Sequence, residues 1–197
     1  MDQPVATQDS LQGINKQWIF TKYDAQQRVA WTGIWNNGGT AISQASLQST
    51  LNGISTNLWE SPSTTGNGYN NVAWPTTNVT ATLSISYYDG YAMPGLPTAY
   101  IAPTGADLST RGELTGTQTN VLGTGNMLWT AHYYDYWGRS LESYAQHYLN
   151  GTLSSNNYDA VTTTYDFTNA PTTVTRKHWT SASTGYPPGN HLQQVYL

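Results

Sequence analysis

Three kinds of residue are scarce in this chain of 197 residues, and each scarcity narrows what the protein can be. There is no cysteine, so disulfide bonds and thiolate metal sites are excluded, while the cellular compartment is left open. Charged residues make up only 9% of the chain, so solubility and specificity depend on Thr, Ser, Asn, Gln and Tyr. Phenylalanine occurs only 2 times, whereas there are 15 tyrosines and 8 tryptophans, which favour strands and half-wet surfaces.

Charge and hydropathy exclude two kinds of partner. The formal net charge is -4 and the few Lys and Arg residues are scattered, so no basic surface is available to neutralise the phosphates of a nucleic acid. No apolar run approaches the roughly 20 residues that a membrane-spanning helix needs. The sequence therefore predicts neither nucleic-acid binding nor a membrane span.

The length allows a buried core and favours one domain or two small ones, and one domain is our prediction. Residues 1–13 are polar and show no periodicity, so we interpret them as a leader or a terminal edge segment. Residues 14–197 are predicted to form a single β domain. Because the chain ends on Gln194 to Leu197, which has the character of another strand, this domain is expected to be a segment of a longer repeat array.

A strand followed by a tight turn is the organising pattern of the chain. In the clearest copy, Trp129, Ala131 and Tyr133 alternate with polar residues as in a two-faced strand. Asp135 then begins a turn in which its carboxylate can accept backbone N–H groups, and Gly138 can adopt the left-handed conformation of a bulged hairpin. A return strand follows.

The same pattern occurs four times, with different residues at the glycine position. The residues that form the pattern are, copy by copy, Tyr23, Asp24 and Arg28; Tyr88 and Asp89; Tyr134, Asp135, Gly138 and Arg139; and Tyr165, Asp166 and Asn169. Gln27 stands where glycine is expected, so the first turn is predicted to be strained or differently shaped. The second copy, with Ala92 at that position, continues into a larger loop, and Asn169 is the best substitute for glycine.

One short helix is predicted near residues 40–52. It has a hydroxyl residue at its start, apolar residues one and two turns apart, and Asn52-Gly53 as a stop signal. Residues 60–78 are rich in Ser, Thr, Gly, Asn and Pro, and are predicted to form a long loop between strands.

These blocks resemble the YD-repeat, or Rhs-repeat, family, and especially its Bacteroidota branch of large surface and polymorphic-toxin proteins. The Tyr-Asp-x-x-Gly-Arg signature is intact at residues 134–139, and blocks such as 17–24, 111–117 and 121–125 appear in the order in which they recur between the repeats of that family. The resemblance implies a mainly β fold of antiparallel hairpins that form a spiralling or curved sheet. It also implies an extracellular or cell-surface location. The implied partners are neighbouring repeats of the same or a larger chain, glycans, or an encapsulated toxin domain.

No catalytic arrangement is evident in the sequence. Each Tyr-Asp aspartate begins a turn, where hydrogen bonds to backbone N–H groups explain it, and no calcium-loop motif occurs. The four histidines, namely His132, His147, His178 and His191, have no helical i, i+4 pairing. No Gly-x-Ser-x-Gly motif is present. We therefore predict no enzyme activity, no cofactor and no metal site.

Tryptophans in polar surroundings suggest a second kind of function. Five of them lie among Asn, Gln and Thr, the chemistry that stacks on sugar rings and binds hydroxyls: Trp31, Trp35, Trp59, Trp74 and Trp137. The competing interpretation is that most of these rings cover the sheet as core.

Three hypotheses of function follow from the sequence. The first is a non-enzymatic structural segment of a secreted or cell-surface YD/Rhs-repeat protein, which contributes to a β-sheet shell or scaffold. The alternative is a carbohydrate-binding module that uses loop tryptophans. A further alternative is a self-assembling extracellular filament or adhesin subunit, because low charge and exposed strand edges favour edge-to-edge pairing.

Overall fold

The protein is mainly β, as the sequence predicts, and the described residues contain two short helices, of which the sequence predicts the one near residues 40–52. The computed structural model describes residues 3–181 completely and residues 189–196 by their backbone. Two compact units are present, Met1–Ser86 and Tyr87–Leu197. The prediction of a single domain over residues 14–197 stays a prediction.

Unit 1 (Met1–Ser86) contains most of the irregular chain and both helices. Its elements are β1 (Ala6–Thr7), α1 (Ser10–Ile14), β2 (Gln17–Tyr23), β3 (Val29–Asn36), α2 (Gln44–Asn52) and β4 (Val79–Tyr88), whose last two residues belong to the other unit. Consecutive strands pair antiparallel from β1 to β4.

Part of the core of unit 1 comes from alternation along β2. On β2, Trp18, Phe20 and Lys22 are buried, while the residues between them are partly exposed. Opposite Phe20 lies Gly33 of β3, where an added Cβ would be 2.6 Å from the Phe20 ring. Glycine at this position therefore lets the phenyl ring lie flat against the backbone of β3.

A buried ion pair fixes the long loop between α2 and β4. Lys22 Nζ lies 2.9 Å from Glu60 Oε1, and neither side chain is exposed. Glu60 also accepts the backbone N–H groups of Val72 and Ala73, and its own N–H donates to Tyr23 O. Desolvation lowers the pKa of Lys22, although the hydrogen bond and charge of Glu60 oppose the shift. The two charges thus join the loop to the sheet.

The helices begin at side-chain caps. Ser43 caps α2 by accepting the N–H of Ser46, three residues after the predicted start, and Leu47 is the buried residue of this helix. Helix α1 begins at Asp9, which forms a reciprocal capping box with Gln12. Because β1 also lies in the predicted leader, part of residues 1–13 has regular structure.

Unit 2 (Tyr87–Leu197) is a succession of antiparallel hairpins. Its strands are β5 (Leu114–Asn120), β6 (Met127–Tyr134), β7 (Ser140–Leu149), β8 (Thr152–Tyr165), β9 (Pro171–Thr180) and β10 (Gly189–Tyr196), and each pairs with the next. Trp129, Ala131 and Tyr133 form the buried face of β6, as the alternation predicts. The loop that precedes β5 packs on this sheet through Tyr100, whose ring stacks on Tyr144 with centroids 5.0 Å apart.

Three of the four Tyr-Asp copies form the same bulged turn. In each, the aspartate N–H donates to the carbonyl four residues on, and the residue three positions after the aspartate donates back to the aspartate carbonyl. That residue has positive φ in every case: 66° at Gln27, 73° at Gly138 and 68° at Asn169. The first turn is therefore the strained form of the predicted shape rather than a different shape.

The tyrosine of each of these copies donates its hydroxyl to a backbone carbonyl that precedes its own strand in the chain. Tyr23 donates to Pro4 O, Tyr134 to Leu114 O and Tyr165 to Ser140 O, each at 2.9 Å. These contacts connect every Tyr-Asp strand to a segment before it, so they repeat along with the turn.

The Tyr88-Asp89 copy is remodelled, as its sequence predicts. Asp89 itself has positive φ, at 65°, and its Oδ1 accepts the N–H of Gly112 at 2.6 Å. The Asp89 N–H donates to Glu113 O. Here the aspartate fixes the far end of a long loop instead of a return strand.

Candidate functional site

The tip of the β6–β7 hairpin combines a rigid turn, exposed aromatic rings and a polar cavity. Asp135 Oδ1 accepts the backbone N–H groups of Trp137 at 2.9 Å and Arg139 at 3.0 Å. Its Oδ2 accepts Nε of Arg139 at 2.6 Å. Because one carboxylate binds both sides of the turn, the residues at the tip are held in a fixed orientation.

The carboxyl group at the base of the turn is held ionised. Burial acts to raise the pKa of Asp135, since only 8% of its surface is exposed. The hydrogen bonds from the Arg139 side chain and from two backbone N–H groups outweigh burial, and the net pKa is lowered.

Two large rings at the tip are exposed. Tyr136 is 78% exposed and Trp137 is 70% exposed, and their rings meet edge to face with centroids 5.8 Å apart. The guanidinium of Arg139 lies 4.8 Å from the centroid of the Trp137 ring. The indole is thus supported by a cation and by the neighbouring phenol ring, while most of its surface faces solvent.

A polar cavity of about 240 Å³ adjoins these rings. Besides the turn itself, its walls are formed by Ser109, Thr110, Arg111 and Glu113. Thr110 Oγ1 is buried and has no hydrogen-bond partner among the described residues. A Cβ added to Gly138 would lie 3.2 Å from Glu113 Oε1, so this glycine also keeps the carboxylate close to the turn.

The side chains of this site can hydrogen-bond a polar ligand. A carboxylate, a guanidinium and hydroxyl groups offer both donors and acceptors beside an exposed aromatic surface. Such a set is suited to a polyhydroxylated ring, which stacks one face on an indole and hydrogen-bonds through its edge.

The five predicted sugar-binding tryptophans differ widely in exposure. Trp31 and Trp35 lie on the buried face of β3 and are only 7% and 6% exposed. Trp35 packs edge to face on the half-buried Trp74, with centroids 5.0 Å apart. Trp59, in unit 1, is 51% exposed. Burial leaves the two β3 rings little surface for a ligand, whereas the exposed Trp137 ring adjoins the polar cavity of about 240 Å³.

The residues that surround Trp137 are not among the site residues predicted from the sequence. Tyr136 is its neighbour in the chain, and a Tyr-Trp pair inside a tight turn is a local sequence pattern that indicates an exposed aromatic surface. Thr110, Arg111 and Glu113 come from a loop more than twenty residues earlier, and only the fold brings them to the turn.

Comparison of the chain with protein-family models, with curated proteins and with solved structures finds no match. Neither helix in the described part of the chain is long and apolar enough to cross a membrane.

Proposed function

We propose that this chain is a non-enzymatic structural segment of a secreted or cell-surface YD/Rhs-repeat protein, and that it contributes a stretch of β-sheet to a shell or scaffold. The observation that supports this most directly is the recurrence of one turn, with the same hydrogen bonds, at Asp24, Asp135 and Asp166. A turn repeated in this way is a building unit, since each copy shapes its hairpin by local contacts.

Contacts between successive hairpins support the same proposal. Arg139 extends from the β6–β7 turn to the next one, where Nη1 donates to Asn169 Oδ1 at 2.7 Å and the guanidinium lies 4.5 Å from the Tyr165 ring centroid. Tyr165 in return donates its hydroxyl to Ser140 O. These two hairpins are therefore connected in both directions, which is the kind of contact that a scaffold built from repeats requires.

The experiment is protease treatment of intact cells that produce the full-length protein. Peptides from residues 17–178 should be released from intact cells or found in the medium. The double substitution Asp135→Ala/Arg139→Ala should speed cleavage of this segment, whereas Phe167→Ala, at a fully solvated tip position, should not. Recovery of the peptides only after lysis would contradict the location, and equal cleavage of wild type and double variant would contradict the scaffold role.

The hairpin tip favours carbohydrate binding as a second function on the same scaffold. The carrying observation is the open Trp137 ring beside the cavity that contains Arg111 and Glu113. A glycan array followed by affinity electrophoresis tests it. Trp137→Ala should abolish binding and leave the unfolding transition unchanged, while Phe167→Ala should bind like wild type. Absence of any glycan signal for the wild-type chain would reject this function.

A further inference from the structure

Three polar side chains meet on neighbouring strands of unit 2, away from the hairpin tip. Asp159 of β8 pairs directly with His178 of β9 and, on its other side, with Ala145 of β7. His147 lies two residues beyond Ala145, where a bulge shifts the register of β7 against β8. Because alternate residues of a strand share a face, His147 lies on the same face as Ala145 and close to Asp159.

The three ligand atoms of this cluster are close together. His178 Nδ1 is 2.7 Å and His147 Nε2 is 3.3 Å from the same oxygen, Asp159 Oδ1. All three atoms lie within 4.8 Å of one another. Atoms at these separations can bind a single ion at the usual metal–nitrogen and metal–oxygen distances of about 2.0–2.2 Å with small side-chain movements.

Hydrogen bonding within the cluster does not satisfy all of its atoms. Among the described residues, the buried His147 Nε2 has no well-aligned hydrogen-bond partner, and its polar contact is with Asp159 Oδ1 at 3.3 Å. A buried polar atom of this kind is uncommon in a folded protein and calls for a partner. One cation placed among the three atoms would coordinate this nitrogen together with the other two.

The remaining carboxylate oxygen is already engaged. Arg176, on the same strand as His178, donates from Nε and Nη2 to Asp159 Oδ2. The guanidinium orients the carboxylate so that Oδ1 faces the two imidazoles. Outer-shell contacts of this type commonly position the ligands of metal sites.

We propose that His147, Asp159 and His178 form a binding site for one divalent transition-metal ion of the zinc class. Two imidazole nitrogens and one carboxylate oxygen suit Zn²⁺, Co²⁺ or Ni²⁺, whereas Ca²⁺ and Mg²⁺ select oxygen ligands. Three protein ligands leave a coordination position for water or for a group from a partner. The sequence predicts no metal here, because the three residues are neither helically spaced nor accompanied by cysteine.

The test is titration of the chelator-treated wild-type chain with ZnCl₂, followed by calorimetry, and with CoCl₂, followed by visible absorption. One ion per chain should bind, and the cobalt spectrum should show the intense d–d bands of low coordination number. His147→Ala, His178→Ala and Asp159→Asn should each weaken binding by on the order of 100-fold. Asp166→Asn, at an exposed turn, and His132→Gln, on β6, should bind as wild type does.

A measurement on the unmodified chain guards against variants that fail to fold. In the proton–nitrogen NMR spectrum of the histidine side chains, Zn²⁺ should shift the ring signals of two histidines, and these should be the two that disappear in His147→Ala and His178→Ala. The proposal is overturned if none of the three metals shows saturable binding. It is equally overturned if the shifted signals belong to other histidines.

Discussion

The turns at Asp24 and Asp135 share their hydrogen bonds but differ at the left-handed position. The first has Gln27, with φ 66°, and the second has Gly138, with φ 73°. In both, the carboxylate accepts two backbone N–H groups and pairs with an arginine four residues on. These two turns therefore share the aspartate and the arginine, and glycine only makes the left-handed conformation less costly.

The turn at Asp166 separates the contribution of the aspartate from that of the arginine. Asp166 accepts the same pair of backbone N–H groups, from Thr168 and Ala170, but Ala170 stands where the other turns have arginine. The turn keeps its shape without the ion pair. The hydrogen bonds from backbone N–H groups to the aspartate are thus sufficient for the shape of the turn. Arg139 adds a contact that reaches the neighbouring hairpin.

Asp135→Ala should produce the largest loss of stability among the turn substitutions. It leaves two backbone N–H groups without their acceptor and Arg139 without its carboxylate, in a place where Asp135 is buried. We expect the free energy of unfolding to fall by about 2–3 kcal/mol. Urea unfolding measures it. Asp166→Ala should cost less, and equal losses at both turns would show that burial and the arginine contribute nothing.

Acid should remove part of the same stabilisation without a mutation. The folded-state pKa of Asp135 is lowered from 3.8, so its contribution to stability is fully present above the unfolded pKa and is lost as pH falls through the folded pKa. The difference in unfolding free energy between wild type and Asp135→Asn should therefore shrink as the pH is lowered from 6 towards about 2. A difference that stays constant over this range would show that ionisation is unimportant.

Exchanging the residues at the left-handed position should have opposite effects in the two turns. Gln27→Gly should raise the free energy of unfolding by about 1 kcal/mol, because glycine adopts positive φ without steric strain. Gly138→Gln should lower it by about 1 kcal/mol or more, since the new Cβ would also meet Glu113 Oε1 at 3.2 Å. Thermal unfolding of both variants against wild type decides the matter. Changes of the same sign would contradict the strain argument.

The sequence predicts the parts of this fold that depend on neighbours in the chain. Alternation along β2 and β6, the turns at the Tyr-Asp pairs and the short helix near residues 40–52 are all local patterns, and the structure shows each of them. The Asp9-Gln12 capping box was also a local signal, and it would have placed a helix inside the predicted leader.

Features that depend on pairing between distant segments were beyond the sequence. Glu60 is 38 residues from Lys22, and the loop composition around it indicates no partner. His147, Asp159 and His178 meet because strand pairing places Asp159 opposite Ala145 of β7 on one side and opposite His178 of β9 on the other. At the hairpin tip the sequence supplied Trp137, whereas the cavity walls come from another loop. These features were not predicted because they depend on strand register and loop placement, which a single sequence does not encode locally.

The contact between successive hairpins should show a smaller but separable effect. Tyr165→Phe removes the hydroxyl that donates to Ser140 O at 2.9 Å and keeps the ring that faces Arg139. We expect a loss of about 0.5–1 kcal/mol in the free energy of unfolding. Tyr165→Leu should lose about as much again, because it removes the cation–π contact with Arg139 as well.

Tyr136→Phe is the matched control, since it deletes a tyrosine hydroxyl from a ring that is 78% exposed at the tip of the preceding hairpin. Its unfolding transition should coincide with that of wild type. If Tyr165→Phe were also silent while Tyr165→Leu was costly, the ring rather than the repeated hydroxyl contact would connect the hairpins. In that case the contact between Arg139 and the Tyr165 ring would be the main connection between these two hairpins. The Asp166 turn has Ala170 in place of the arginine, so it would reverse the chain without making such a contact to a neighbour.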